Sequence, residues 1–389
     1  MSRSNIPVPL PYGRQSISEK DIAAVVAVLR SDFITQGPAI ARFEECVATV
    51  CGARHAVAVS SATAALHIGA LALDLKPGDR LWTSPNTFVA SANCGLYCGA
   101  GVDFVDIDPR TYNLAVGNLE VKLRAAAANG TLPKILVPVH FAGQPCEMGP
   151  IGDLCAAHGV RMMEDASHAV GAEYRSKRIG GRAGPDLTVF SFHPVKIITT
   201  GEGGMLLTDD GELYERLVRL RSHGITREVQ QDGPWSYAQV DLGFNYRMTD
   251  LQAALGASQM TSLPAFLARR RALAARYDRL LAPLPLVLPW QHPDTLSSWH
   301  LYVVRPDTAR TSVDRAALYA GLRERGIHAQ VHYSPVHTQP WYRALGFKPG
   351  DFPQAERYYA GALSLPMYPA LTDADQERVV TALQALLAA

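Results

Sequence analysis

The sequence is short of most features that assign a chain to a specialised class at sight. It has no surplus charge: 37 Lys and Arg stand against 36 Asp and Glu, so neither nucleic acid nor an anionic membrane surface is an expected partner. It has no uninterrupted apolar run of the roughly 20 residues that a bilayer-spanning helix needs. Its opening, "MSRSNIPVPLPYG", lacks the apolar stretch of a secretion signal. Together these absences make the cytoplasm the expected compartment. Cysteine is scarce too: six in 389 residues, irregularly spaced, exclude a disulfide framework. The close pair Cys94 and Cys98 in "NCGLYCG" would share a helix face, but no second Cys or His cluster completes a four-ligand set. Buried thiols and no metal are the expectation. Finally, no G-x-G-x-x-G follows the first strand-like run, which sets aside a nicotinamide dehydrogenase.

What is present is an alternation. The runs "HAVAVS" (55–60), "RLWTSP" (80–85), "VDFVDID" (102–108), "KILVPVHF" (134–141), "VRMMEDAS" (160–167), "LTVFSFH" (187–193) and "GMLLT" (204–208) read as strands. Helical patterns near 62–73, 86–98, 117–128 and 149–158 fit between most of them. This predicts an α/β fold with a mostly parallel sheet covered on both faces. Only "PVKIITTGEG" separates the last two strands, which are therefore predicted to pair antiparallel. The Ala, Leu and Arg-rich stretch 248–283 reads as long helices linking two lobes, and "PLPLVLPW" then breaks the pattern. "WHLYVVRP", a helix near 313–325, "IHAQVHY" and a terminal helix near 373–388 predict a smaller α+β unit. The expected division is 1–283, a large domain with the N-terminal segment and linking helices, and 284–389, a small C-terminal domain.

In open α/β sheets, ligands bind beyond the carboxyl ends of the strands. Four points there carry polar residues. In "VSSATAALHIG" a strand passes into a helix through Ser60, Ser61, Ala62 and Thr63 without bulk. Free N–H groups and the positive helix end suit a phosphate, with the Thr63 hydroxyl as a further donor; alone, the same residues read first as an ordinary helix cap. In "MMEDASHAVGAEY", Asp165 follows an apolar strand. A half-buried carboxylate calls for a cation such as a protonated pyridine nitrogen, unless it is itself a cap. Phe88 in "SPNTFVAS" sits at a helix start, where it either stacks on a flat cofactor or joins the core. In "FSFHPVKIITTGEGG", Ser191 ends a strand and Lys196 follows in a turn of small residues. A lysine in a dry, crowded place loses basicity and becomes an amine fit for Schiff-base chemistry; a solvated loop lysine does not. Taken in order, the four points make the set of parts that pyridoxal phosphate requires.

"SSATAAL", "EDASHA", "SFHPVKIITTGEGG" and "GFNYRMTDLQAALG" resemble the signature segments of the nucleotide-sugar aminotransferases of the DegT/DnrJ type. These are pyridoxal 5′-phosphate (PLP) enzymes of fold type I, and the resemblance runs from "ITQGPAIARFE" to "LSLPMYP". It implies a fold type I PLP-dependent transferase, with a mostly parallel mixed sheet and a smaller α+β C-terminal domain. It implies that Lys196 forms the Schiff base, Asp165 pairs with the pyridine nitrogen, Ala62, Thr63 and Ser191 hold the phosphate, and Phe88 stacks on the ring. It places Asn245 at the phosphate of a neighbouring subunit's cofactor, hence a homodimer with shared sites. Many members have Gln where this chain has His168, so His168 is implied to bind the cofactor through a contact of its own. A related branch that dehydrates or deoxygenates sugars carries His at the lysine position, and a regulatory protein on this fold would lack Lys196, Asp165 or Thr63. Transamination is therefore expected, by a ping-pong cycle with L-glutamate as donor and Lys196 moving the α proton.

The substrate is sought outside the cofactor segments. "RSHGITRE", "GPWSYAQVDLGFNYRMTD" and "VHYSPVHTQPWYRALGF" resemble the branch that aminates a UDP-linked 4-keto-6-deoxy-N-acetylhexosamine on the way to pseudaminic acid. A dTDP- or GDP-linked 4-keto-6-deoxy hexose is the alternative. A nucleotide diphosphate needs cations, so Arg227, Arg247 and the cluster His332, Tyr333 and His337 are candidates for the mouth of the site. Each also reads as a solvated or structural residue.

Overall fold

The computed structural model describes residues 8–182, 184–227, 233 and 235–388; residues 1–7, Glu228 and Pro234, which belong to stretches read above, lie outside the described residues. The strand-like runs form one seven-stranded sheet. Its members are β1 (His55–Val59), β2 (Arg80–Thr83), β3 (Gly101–Phe104), β4 (Ile135–Val137), β5 (Arg161–Asp165), β6 (Leu187–Ser191) and β7 (Gly204–Thr208). They lie side by side in the order β1-β7-β6-β5-β4-β2-β3. Pairing is parallel from β3 through β2, β4 and β5 to β6. β7 is reversed and pairs antiparallel with both β6 and β1, as the short connection before it required. Every residue of β6 and β7 is buried, which fits a sheet covered on both faces.

Four helices follow the strands: α1 (Ala62–Ala72), α2 (Ala90–Tyr97), α3 (Val116–Asn129) and α4 (Met148–His158). Ser61 caps α1, its Oγ accepting the Ala64 N–H at 3.1 Å. Two glycines let this helix sit close to the sheet. A Cβ on Gly69 would stand 2.6 Å from Met163 Sδ, and one on Gly204 would stand 2.5 Å from the Ser61 carbonyl carbon. Any larger residue at Gly204 would push the start of α1 away from the sheet edge. α2 begins later than the expected residue 86. The Asn86 N–H donates to Ser84 Oγ at 3.2 Å and Asn86 Nδ2 donates to Tyr112 O at 3.1 Å, so polar side chains hold this stretch as a loop. Phe88 therefore lies ahead of the helix. β4 stops short of the expected residue 141 because Pro138 cannot donate to a ladder.

The stretch read as linking helices is a single 32-residue helix, α5 (Asp250–Leu281), with Pro264 inside it. A reciprocal Thr249–Gln252 capping box starts it. Ala253, Ala257, Met260, Leu263 and Leu267 pack with Phe43, Phe190 and Phe192 against the sheet. Leu273, Ala274, Tyr277 and Leu281 belong to a second core with Tyr302, Val304, Leu318 and Leu363. That core is built by the antiparallel strands Leu286–Val287, Tyr302–Pro306 and Leu363–Leu365 and by the helices Arg315–Glu324 and Asp373–Leu387. Most of the N-terminal segment stays with the first half of α5, where Gln259 Nε2 donates to Ser16 O at 2.9 Å and Asp21 Oδ2 at 2.7 Å, but its start reaches this second core. Leu10–Pro11 pairs in parallel with Ile327–His328, and Leu10 is buried in the second core. Among the described residues, no helix is long and apolar enough to cross a membrane.

Candidate active site

A cavity of about 570 Å³ opens at the sheet edge where β1, β5 and β6 end and β7 begins. The turn after β6 that carries Lys196 is closed on itself. The Thr200 N–H and the Thr199 hydroxyl both donate to Phe192 O, at 3.0 and 2.9 Å, and the Lys196 N–H donates to His193 O at 2.9 Å. Burial lowers the Lys196 pKa from 10.5 to about 8, against the opposing pull of the Asp165 carboxylate. About a tenth of such an amine is free base at pH 7.

Asp165, at the end of β5, is only 5% exposed. Its Oδ2 accepts the Ser91 hydroxyl at 2.6 Å and its Oδ1 accepts the Ser167 N–H at 3.0 Å. Among the described residues no Lys, Arg or His pairs with it, so the carboxylate keeps capacity for a cation in the cavity. Across the opening, Ala62 and Thr63 head α1, and the first N–H groups of a helix have no partner within it. Ser191 lies beside Gly204 in the β6–β7 register, close to that helix start. Phe88 forms a wall, 58% exposed, with its ring centre 6.2 Å from that of Tyr333.

The hydrogen bonds of His168 fix its tautomer. Nδ1 accepts the Ala142 N–H at 3.3 Å, so the ring proton sits on Nε2 and donates to the Tyr333 hydroxyl oxygen at 3.2 Å. Burial and the Lys196 charge hold the His168 pKa well below the usual imidazole value, so this neutral form persists. Its neighbour His332 is kept neutral for the same reasons, its pKa lowered to about 3, with Nδ1 2.8 Å from Ser364 Oγ.

Of the residues singled out in the sequence, Ala62, Thr63, Phe88, Asp165, His168, Ser191, Lys196, His332 and Tyr333 all line this cavity. His337 does not. A short 3-10 turn, Val336–Thr338, turns it into the core, where it is fully buried, 2.8 Å from Glu356 and stacked edge-on with Phe352. Asn245, Arg247 and Arg227 also lie outside the walls of their own chain's cavity. Asn245 is exposed in a bridge to Ser222, Arg247 donates to Ser222 Oγ at 3.1 Å, and Arg227 is exposed. Sequence reasoning missed Tyr12, whose ring centre is 5.0 Å from that of His332, and Ser91. The four-residue spacing of Thr87 and Ser91 was the signal available for the latter; for Tyr12 there was none. Cys94 and Cys98 are free thiols, and burial pushes Cys98 up to about 11.

Residues 15–384 match the DegT/DnrJ/EryC1/StrS aminotransferase family. The chain belongs to that family. It is 40% identical over 382 residues to the spore coat polysaccharide biosynthesis protein SpsC of Bacillus subtilis, covering 96% of each chain. Helicobacter pylori PseC, an aminotransferase involved in the biosynthesis of pseudoaminic acid, superposes with a TM-score of 0.89 at 31% identity, over 98% of this chain and 99% of that one. The PLP-form of Spr1654 from Streptococcus pneumoniae superposes equally well, at TM-score 0.89 and 28% identity, over 98% and 99%. This DegT/DnrJ/EryC1/StrS protein is thus a PLP-dependent sugar aminotransferase of fold type I, using a nucleotide sugar and an amino donor. The cavity fits the cofactor on its own chemistry: N–H donors at a helix start for a phosphate, a buried carboxylate with spare capacity, and a lysine of lowered basicity.

Proposed function

We propose that this aminotransferase moves the amino group of L-glutamate to the 4-keto carbon of a UDP-linked 4-keto-6-deoxy-N-acetylhexosamine, an amination on the way to pseudaminic acid. The observation that carries the reaction type is Lys196, held on a closed turn with its pKa near 8 and facing Asp165. PLP, when bound, supplies an aldehyde that captures amines and a ring that takes up electrons as the donor's α C–H bond breaks. Lys196 Nζ would hold that aldehyde and, as a free amine, would move the donor's α proton. The Asp165 carboxylate holds the proton of the ring nitrogen. The Ala62 and Thr63 N–H groups, with the Thr63 and Ser191 hydroxyls, would hold the phosphate, and Phe88 would cover the ring. His168 spends its Nε2 proton on Tyr333, which leaves the Tyr333 hydroxyl proton free to point into the cavity.

The sugar side of the proposal rests on Tyr333 and His332 in the same cavity as the lysine, and on the 31% identity to PseC over nearly the whole chain. Asn245, Arg247 and Arg227 complete the neighbouring subunit's site in a homodimer. On the approach to Asn245 the chain exposes Tyr237, Val240 and Leu242, at 63, 53 and 81%, as an interface requires. The division into 1–283 and 284–389 and a cytoplasmic location belong to the same reading. The test supplies purified enzyme with L-glutamate and each candidate keto sugar, follows 2-oxoglutarate, and identifies the amino sugar. Preference for a GDP- or dTDP-linked sugar overturns the pseudaminic assignment.

A further inference from the structure

Asp165, almost out of water, accepts a hydrogen bond at each of its carboxylate oxygens. Ser91, from α2, is fully buried, and its Oγ makes three approaches: 2.6 Å to Asp165 Oδ2, 2.7 Å to Thr87 Oγ1 and 3.4 Å to Phe88 O. A hydroxyl has one proton to give. The short contact to a charged acceptor takes it, since charge-assisted bonds are the shorter and stronger ones. Thr87, itself 2% exposed, must then be the donor in its contact with Ser91. The proton order is fixed: Thr87 to Ser91 to Asp165. In a dry site each bond of such a chain strengthens the next.

We infer that the Thr87–Ser91 hydroxyl chain is a positioning device for this aminotransferase: it holds the Asp165 carboxylate in the orientation in which it would meet the ring nitrogen of the cofactor. With the Ser167 N–H on Oδ1 and Ser91 on Oδ2, both oxygens are tied down and the carboxylate is held against rotation. The same segment delivers Phe88 to the cavity wall one residue after Thr87, so one short loop sets both the ring's cover and its counter-charge. Ser91 does not line the cavity; it acts through Asp165. The inference rests on the reading that Asp165 meets the ring nitrogen.

The test compares the dissociation constants of PLP and of its 1-deaza analogue, in which the ring nitrogen is replaced by C–H. The analogue's dissociation constant divided by that of PLP isolates the contact at that nitrogen. Ser91→Ala should lower the ratio about tenfold by weakening PLP while leaving the analogue's affinity in place, the size expected for one charge-assisted hydrogen bond. Ser91→Thr, which keeps the hydroxyl, should restore the parent ratio. Thr87→Val should lower it about threefold, since it removes only the second bond of the chain, and this variant decides the matter if Ser91→Ala does not fold. Equal weakening of both ligands in Ser91→Ala, or a Ser91→Thr protein that behaves like it, overturns the inference. Asp165→Asn should collapse the ratio toward one; if it does not, the reading of Asp165 itself fails, whatever Ser91 does.

Discussion

The two sides of the cavity are built by different means. On the sheet side, Thr63, Asp165, Ser191 and Lys196 stand within a few residues of strand ends: Asp165 and Ser191 in paired strands, Thr63 in the first turn of α1, and Lys196 in the closed turn after β6. On the opposite side, Tyr12, His332 and Tyr333 come from distant parts of the chain. A two-residue strand and bonds between side chains hold them there. The first construction suits chemistry that must not vary from one sugar to another. The second can be altered residue by residue without disturbing a sheet, which suits the recognition of one sugar among several.

The largest effect should come from the sheet side. Lys196→Ala should fold, bind cofactor without a Schiff base, and lose at least about 10⁴-fold in turnover. Persistence of the Schiff-base absorbance band would mean that another lysine is the anchor. The proposed sharing of a site between two subunits is tested by mixing Lys196→Ala chains with Asn245→Asp chains, each expected to be inactive alone. Random exchange into heterodimers should return activity to about a quarter of the parent, because one site in each mixed dimer is whole. No recovery after demonstrated exchange removes the shared site.

Tyr333→Phe should weaken the half-reaction with the keto sugar by about 2- to 10-fold, one hydrogen bond's worth, and move the glutamate half-reaction less. Equal losses in both, measured by stopped flow, would erase the distinction between the two sides. The smallest effect is on stability. Because burial lowers Lys196 to about 8, the unfolded chain between pH 8 and 10.5 carries a proton that the folded chain has lost. Stability of the cofactor-free protein therefore rises with pH across that window. Lys196→Met should raise its melting temperature by about 2 °C at pH 7, an advantage that fades above pH 10.5.

The same contrast governs what could be read in advance. The sheet side was legible because strands advertise themselves as short β-rich runs, and the residue that follows each one has nowhere else to go. All four strand-end points fell on the cavity wall. The other side was not. His332, Tyr333 and His337 are neighbours in sequence, but a single 3-10 turn sends His337 into the core against Glu356. Tyr12 reaches the site through a two-residue strand whose partner is Ile327–His328, too short to leave a pattern and too distant to infer. Ser91 was passed over because its four-residue spacing from Thr87 gives no hint of Asp165, the partner 74 residues away through which it acts.

α5 carries one last consequence, for how the molecule comes apart. Its first half completes the core against the sheet and its second half completes the core of the C-terminal region, within one capped helix. Melting either core strips the packing from half of that helix, and a helix draws most of its stability from packing. The two regions should therefore lose structure together. Calorimetry of the cofactor-free protein should give a single transition with the calorimetric and van't Hoff enthalpies in agreement, even though the chain has two cores. Two separated peaks would show that the helix divides near Pro264 and lets each half go its own way.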